Sequence, residues 1–234
     1  NKDALVWNES ISANGCGDDS RQTCTYGTSP SFTTIYLRKA ASDIPIGNAV
    51  YYAFETPDGI LRDYDYNDVV LRVNVPVDQG NGTFVSNVQV MCVGNTIKTN
   101  VLYDGEPFGD EVHSAIGAAE NKTANASSIT RVFAKLGEIT FNDGNARIDQ
   151  LRFSLLITDS DGKVITLQTG ETPLYLVVNG STDRRWFWST EGMNIGVAYP
   201  QFSYWASDMH TSLYWYDAAN AVSTKIVSWT LADE

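Results

Sequence analysis

The sequence predicts an all-β fold, an antiparallel two-sheet β-sandwich with one or two short helices. Three observations predict it. Apolar and polar residues alternate with a period of two through most of the chain. Turn-forming clusters of Gly, Asn, Asp and Ser punctuate it every ~8–12 residues. Helical signals are few and short. With 234 residues, the chain fits a single β-rich domain, 1–234.

The elements follow from local pattern. Strands are expected near residues 4–7, 34–38 and 50–55. Val69, Leu71, Val73, Val75 and Val77 alternate with Val70, Arg72, Asn74 and Pro76, a half-buried strand that ends at a proline. The turn Asp78-Gln79-Gly80-Asn81-Gly82 follows, and a second strand carries Phe84, Val88, Val90 and Cys92 on one face, which makes a hairpin. Residues 104–135, rich in Gly, Ala, Asn and Ser, read as a long excursion holding a short helix near 115–120. Residues 131–136 suit either a helical turn or a strand. Leu151, Phe153, Leu155 and Ile157 alternate into a strand, the turn at 158–162 reverses the chain, and 163–168 pairs back. Leu174, Leu176 and Val178 give another strand, and 226–231 a last one. Pro200 suits the first turn of a helix over 200–206.

Composition excludes several functions. Sixteen Lys and Arg against 28 Asp and Glu leave a net charge of −12. No basic face is available to displace counterions from nucleic acid, so no nucleic-acid partner is expected, and anionic lipid is disfavoured for the same reason. No apolar run approaches the ~18–20 residues of a membrane span. The chain opens at Asn1 without a secretory hydrophobic region, so a mature or truncated form is expected, with any signal peptide or lipid anchor upstream. Phosphate-loop, dinucleotide, zinc-protease and nucleophile-elbow motifs are all missing.

Cysteines and histidines offer little catalysis. Cys16 and Cys24 lie eight apart in a polar stretch and suit a small disulfide loop in an exported protein, with free thiols as the alternative. Cys92 shares a strand face with Val88 and Val90 and reads as a buried core thiol. His113 stands two residues after Glu111. The two can form an acid–base pair, but no nucleophile accompanies them, so a hydrogen bond that orders a loop is the expected role. No catalytic residue is assigned, and no enzyme activity is expected.

The chemistry concentrates in residues 54–71, FETPDGILRDYDYNDVVL. Asp63, Asp65 and Asn67 are spaced i, i+2, i+4, which lets a tight loop turn three oxygen donors inward, as at the start of an EF-hand loop. The EF-hand rule then fails, with Asp68 where its glycine belongs and Asn74 where its glutamate belongs. Carboxylates this dense raise one another's pKa unless a cation compensates. Oxygen-only donors favour Ca²⁺ over Zn²⁺. The alternative is a solvated acidic turn that caps the following strand.

Three motifs resemble the LruC-domain family of exported bacterial proteins, frequent in Bacteroidetes. FE…DYDYNDVVL is similar to its "F-E-D…G-D-Y-D-[FY]-N-D-[LV]-V" signature, with Thr56 where the family usually has Asp and Arg62 where it usually has Gly. Glu111-Val112-His113 resembles its "E-V-H…G". WFWSTEGMNIGVAYPQFSYW resembles a third motif through Phe187, Trp188, Glu191, Ile195, Ala198, Tyr199, Pro200, Phe202 and Trp205. The motifs span a core over 50–207 and leave 1–48 uncovered. The resemblance implies a secreted or surface-attached module without known enzymatic reaction, whose D-x-D-x-N-D segment binds Ca²⁺. Asp63, Asp65 and Asn67 are then the expected ligands, followed by Asp68 and by Glu55 from the preceding strand end.

The aromatic run through Trp186, Phe187, Trp188, Tyr199, Phe202, Tyr204 and Trp205 suits core packing, while Tyr214, Trp215 and Tyr216 lie outside the matched motifs and are the candidate ligand-binding residues. The expected function is an exported cell-surface, non-catalytic Ca²⁺-binding module for adhesion or ligand binding, its partner a glycan or a protein. A carbohydrate-binding module using exposed aromatics is the alternative, and an extracellular hydrolase a more distant one. Asp159, Asp161 and Gly162 form a turn with room for a second ion.

Overall fold

The structure is a computed structural model that describes residues 49–56, 63–119, 122, 134–158, 164–167, 175–179, 186–207, 212 and 214–228. The expected strands at 4–7 and 34–38, the Cys16 and Cys24 loop, and the turn with Asp159 and Asp161 lie outside these residues.

Two antiparallel sheets form the body. The larger contains β1 (Ala49–Phe54), β2 (Val69–Asn74), β3 (Val77–Asp78), β4 (Phe84–Cys92), β7 (Ala134–Phe141) and β10 (Tyr175–Asn179), in the order β10-β1-β2-β4-β3, with β7 also paired to β4. The smaller contains β5 (Lys98–Tyr103), β6 (Glu106–Pro107), β8 (Phe153–Thr158) and β9 (Val164–Leu167), in the order β6-β5-β8-β9. Helices are short: α1 (Val112–Ile116), α2 (Ile195–Ala198) and α3 (Gln201–Ser207).

The expected hairpin is present, with one refinement. Its first arm divides into β2 and β3 around Pro76, whose missing N–H cannot serve the ladder. Both halves pair with β4, through Val73↔Val88 and Val77↔Val85. Of the ambiguous stretch at 131–136, the described residues 134–136 are strand, because Ala134 opens β7 and pairs with Val90. The helix in the excursion starts earlier than expected, at Val112. Glu111 caps it by accepting from Ser114 N, and Gly117 ends it at φ 76°. The helix after Pro200 is α3, beginning one residue later than expected. At 226 only an isolated bridge to Ser189 forms.

Period-two alternation sorts the larger sheet's side chains into two apolar clusters. Val50, Tyr52 and Phe54 of β1, Leu71 and Val73 of β2, and Val88 and Val90 of β4 meet Val101, Phe153, Leu155 and Ile157 of the smaller sheet. This is the sandwich core. Tyr52 spans it, donating to Ile148 O at 2.8 Å and accepting from Leu151 N at 2.9 Å. Tyr51 and Ala53, on the opposite face, pack with Val70, Met91, Leu176, Trp186, Trp188, Ile195, Tyr199, Trp205 and Trp215.

The larger sheet is therefore covered on both sides, by the second sheet and by an aromatic lobe built from residues 186–228. This corrects the half-buried reading of β2: Val69, Val70, Leu71 and Val73 are all fully buried, and Arg72 nearly so. Alternation alone describes one face, and the lobe that covers the other comes from far along the chain. Cys92 is fully buried, but in the aromatic-lobe cluster with Met91 and not on the face of Val88 and Val90 as expected, its Sγ 3.0 Å from Asn67 O. Burial pushes its thiol well up, with Asp65, Glu191 and Asp68 adding to the effect, in keeping with a core role.

Candidate metal centre

Residues 63–68 lead into β2 and pack against the aromatic lobe through Tyr66. Their conformation follows from where their backbone N–H groups go. Tyr64 N donates to Glu55 Oε1 at 3.0 Å and Tyr66 N to Glu55 Oε2 at 3.2 Å. Asp65 N donates to Asp63 Oδ1 at 3.3 Å and Asn67 N to Asp65 Oδ1 at 3.0 Å, two successive Asx turns. Four consecutive amides thus all face carboxylates. Both tyrosines take the left-handed region, each at φ 56°. That conformation costs a non-glycine residue about 1–3 kcal/mol. The surroundings offset it, since Tyr66 is buried with its ring 6.4 Å from Phe202, and Tyr64 O accepts from Ile195 N at 2.8 Å.

The outcome is that Glu55, Asp63 and Asp65 converge, with one carboxylate oxygen from each within 4.8 Å of the others. Glu55 and Asp65 are buried and Asp63 is half-buried. Asp65 is pushed up to about 9, first by burial and then by the charges of Asp63, Glu55 and Glu191, against the lowering effect of the Asn67 amide. A carboxyl so perturbed is either protonated or balanced by a cation.

Two expected ligands stand differently. Asn67 turns its amide nitrogen toward Asp65, 2.5 Å from Oδ2, with a second bond from that nitrogen to Ser189 O at 3.2 Å. Its Oδ1 faces Gly94 instead, where an added Cβ would lie 2.0 Å away. Asn67 is therefore a strut between Asp65 and the aromatic lobe. Asp68 accepts from Thr56 Oγ1 at 2.9 Å and from Thr56 N. Thr56, a departure from the family pattern, thus ties Asp68 to the end of β1. Asn67 Oδ1 is buried without a hydrogen-bond partner, and Asp68 Oδ2 is taken up by Thr56.

The part that sequence pattern missed comes from residues 189–195. Gly192 N donates to Asp65 Oδ2 at 2.9 Å, and Asn194 Nδ2 to Asp63 O at 3.2 Å. Glu191 sits in the same turn, with its charge acting on Asp65. Its position in the third motif beside Ile195 was the only signal available. No local spacing ties it to a loop more than a hundred residues earlier.

The other candidates resolve clearly. His113 is fully buried, with Nδ1 2.6 Å from Glu111 Oε1 and Nε2 3.0 Å from Asn95 O. Glu111 also accepts from Thr99 N and Ser114 N, each at 3.0 Å. Burial pushes the Glu111 carboxyl up, but these bonds outweigh it and hold it below its ordinary value. The pair orders the start of α1, where Glu111 accepts from Ser114 N. Of the candidate ligand-binding aromatics, Trp215 is fully buried and Tyr216 nearly so, which corrects their expected exposure. Trp215 packs edge-on to Tyr199 at 5.5 Å and Phe202 at 4.9 Å. Tyr214 remains exposed, as does Tyr204.

No family model and no curated protein matches the sequence. Among solved structures the chain is similar to a "putative lipoprotein from Bacteroides ovatus", at 12% identity and a TM-score of 0.46, over 78% of this chain and 76% of that one. The LruC-domain resemblance rests on its three motifs. No helix among the described residues is long and apolar enough to cross a membrane.

Proposed function

We propose that this chain is an exported, surface-attached module without catalytic activity that binds Ca²⁺ through Glu55, Asp63 and Asp65. The observation that carries the reading is their convergence within 4.8 Å around the buried Asp65. Ca²⁺ takes six to eight oxygens at flexible geometry, which carboxylates and water supply. The absence of His and Cys from this group of three argues against Zn²⁺. Glu191, already close enough to act on Asp65, is the natural further ligand.

The ion's role is structural. It replaces carboxylate repulsion with a shared charge partner and locks together the end of β1, the 63–67 loop and the 189–195 turn. The aromatic lobe is thereby fixed to the larger sheet, and the stiffened outer surface meets a glycan or protein partner. The carbohydrate alternative loses the stacking ring it most needed, because Trp215 is buried.

The test is the melting midpoint in EDTA and in millimolar Ca²⁺, with Mg²⁺ as control, alongside metal analysis of the purified protein. A Ca²⁺-selective rise that disappears in Asp65→Asn supports the reading. A metal-free protein whose midpoint ignores Ca²⁺ overturns it.

A further inference from the structure

Far from the acidic centre, the turn joining β3 to β4 places three groups where the chain can react with itself. Residues 79–82 are exposed. Asn81 and Gly82 form the one Asn-Gly pair with both members among the described residues. Gly82 has φ 83° and nothing within 4 Å of where a Cβ would stand. Its N–H donates to no group among the described residues, so it is free to act as a nucleophile. Asn81 Oδ1 accepts from Thr83 N at 3.0 Å and from Thr83 Oγ1 at 2.6 Å. The ring closed by the Thr83 amide contains the Gly82 nitrogen, so the Asn81 side chain folds back over the peptide bond that follows it.

We propose that Asn81 is a self-modification site, in which Gly82 N closes on the Asn81 side-chain amide carbon and Thr83 activates that carbon. Solvent base takes the proton from Gly82 N, the N–Cγ bond forms, and negative charge develops on Oδ1. Both Thr83 donors already point at that oxygen and stabilise it as the charge grows. The Cγ–Nδ2 bond then breaks, and Nδ2 leaves as ammonia after taking up a proton. The product is a five-membered succinimide, with no change of oxidation state. Water opens the ring at either carbonyl. Cleavage at Cγ gives aspartate, and cleavage at the main-chain carbonyl gives isoaspartate.

Glycine at the second position speeds the closure because the ring needs a backbone conformation that a Cβ obstructs. The product adds one negative charge to a chain already at −12. The isoaspartyl form also inserts a carbon into the main chain, and the nearest structure to feel it is the short pairing Val77↔Val85 and Asp78↔Phe84.

Asn145 is an internal reference. It is exposed in a turn but is followed by Ala146. The experiment incubates the whole chain in heavy-oxygen water at mildly alkaline pH and follows each asparagine by peptide mass spectrometry. The expected result is loss of the Asn81 amide roughly tenfold or more faster than at Asn145, with one heavy oxygen incorporated, and a slowing of similar size in Gly82→Ala. Thr83→Val, which removes the hydroxyl donor and keeps the amide, slows Asn81 severalfold. Equal rates at Asn81 and Asn145 would overturn the site. An unchanged or faster rate at Asn81 in Thr83→Val would overturn the assistance by Thr83.

Discussion

Two buried carboxylates in this protein, Asp65 and Glu111, shift in opposite directions. Glu111 faces His113, Thr99 N and Ser114 N, and these donors hold its carboxyl below the ordinary value despite burial. Asp65 also accepts from backbone, at Asn67 N and Gly192 N, yet lies among Asp63, Glu55 and Glu191 and rises to about 9. The difference teaches that donor count alone does not set the charge state. A carboxylate ringed by hydrogen-bond donors is finished as built, whereas one surrounded by other carboxylates is finished only by a proton or an ion.

The same acid-to-amide exchange at both sites puts that contrast to its hardest test. Glu111→Gln weakens three bonds to a buried carboxylate, from His113, Thr99 N and Ser114 N, and is expected to cost about 3–5 kcal/mol by urea unfolding. Gly94→Ala comes next. Its Cβ would fall 2.0 Å from Asn67 Oδ1 and 2.9 Å from Asn67 O, so the strut beside Asp65 must move, at about 3 kcal/mol. Ca²⁺ at a hundredfold excess over its dissociation constant should add roughly 2.7 kcal/mol to the wild type and leave Glu111→Gln with the same increment. Asp65→Asn should change ion-free stability by only about 1 kcal/mol, since the protonated acid and the amide are both neutral and differ by a hydrogen bond, while abolishing the Ca²⁺ increment.

The smallest effects lie in the pH profile, and their signs are opposite. Folded Glu111 binds its proton less readily than in the unfolded chain, whose value is near 4.5, so its contribution is lost as pH falls below that point. Folded Asp65 holds a proton that the unfolded chain releases above 3.8. In EDTA, stability therefore declines as pH rises from there toward about 9. Saturating Ca²⁺ should flatten the alkaline decline and spare the acid one, and Glu111→Gln should do the reverse. Melting midpoints across pH in the two buffers separate these outcomes.

Much of the body was legible because it depends on neighbours in sequence. The alternation through Val69–Asn74 and from Phe84 to Val90 places side chains on defined faces whatever else surrounds them, but it slips at the end of β4, where Cys92 joins Met91 in the aromatic-lobe cluster instead of sharing the face of Val88 and Val90. Pro76 breaks its arm for a reason internal to proline. The i, i+2, i+4 spacing correctly brought Asp63 and Asp65 together, because Asx turns are local. The spacing said nothing of how the Asn67 amide lies, since its nitrogen reaches Ser189 O, 122 residues away. Position outside the matched motifs misled at Trp215, since a surface tyrosine and a buried tryptophan in one aromatic run look alike until the helices that cover them are in place.

Chain order thus dictated the strands, the turns and a dense acidic loop, because dihedral preference, side-chain periodicity and local hydrogen bonding act over a few residues. Folding in three dimensions added what spans longer distances: the aromatic lobe that buries the second face of the larger sheet, the Gly192 amide on Asp65 from 127 residues away, and the charge of Glu191 beside it. Burial and charge–charge interaction depend on separation in space, so the state of Asp65 emerges only when the two ends of the described chain are packed together.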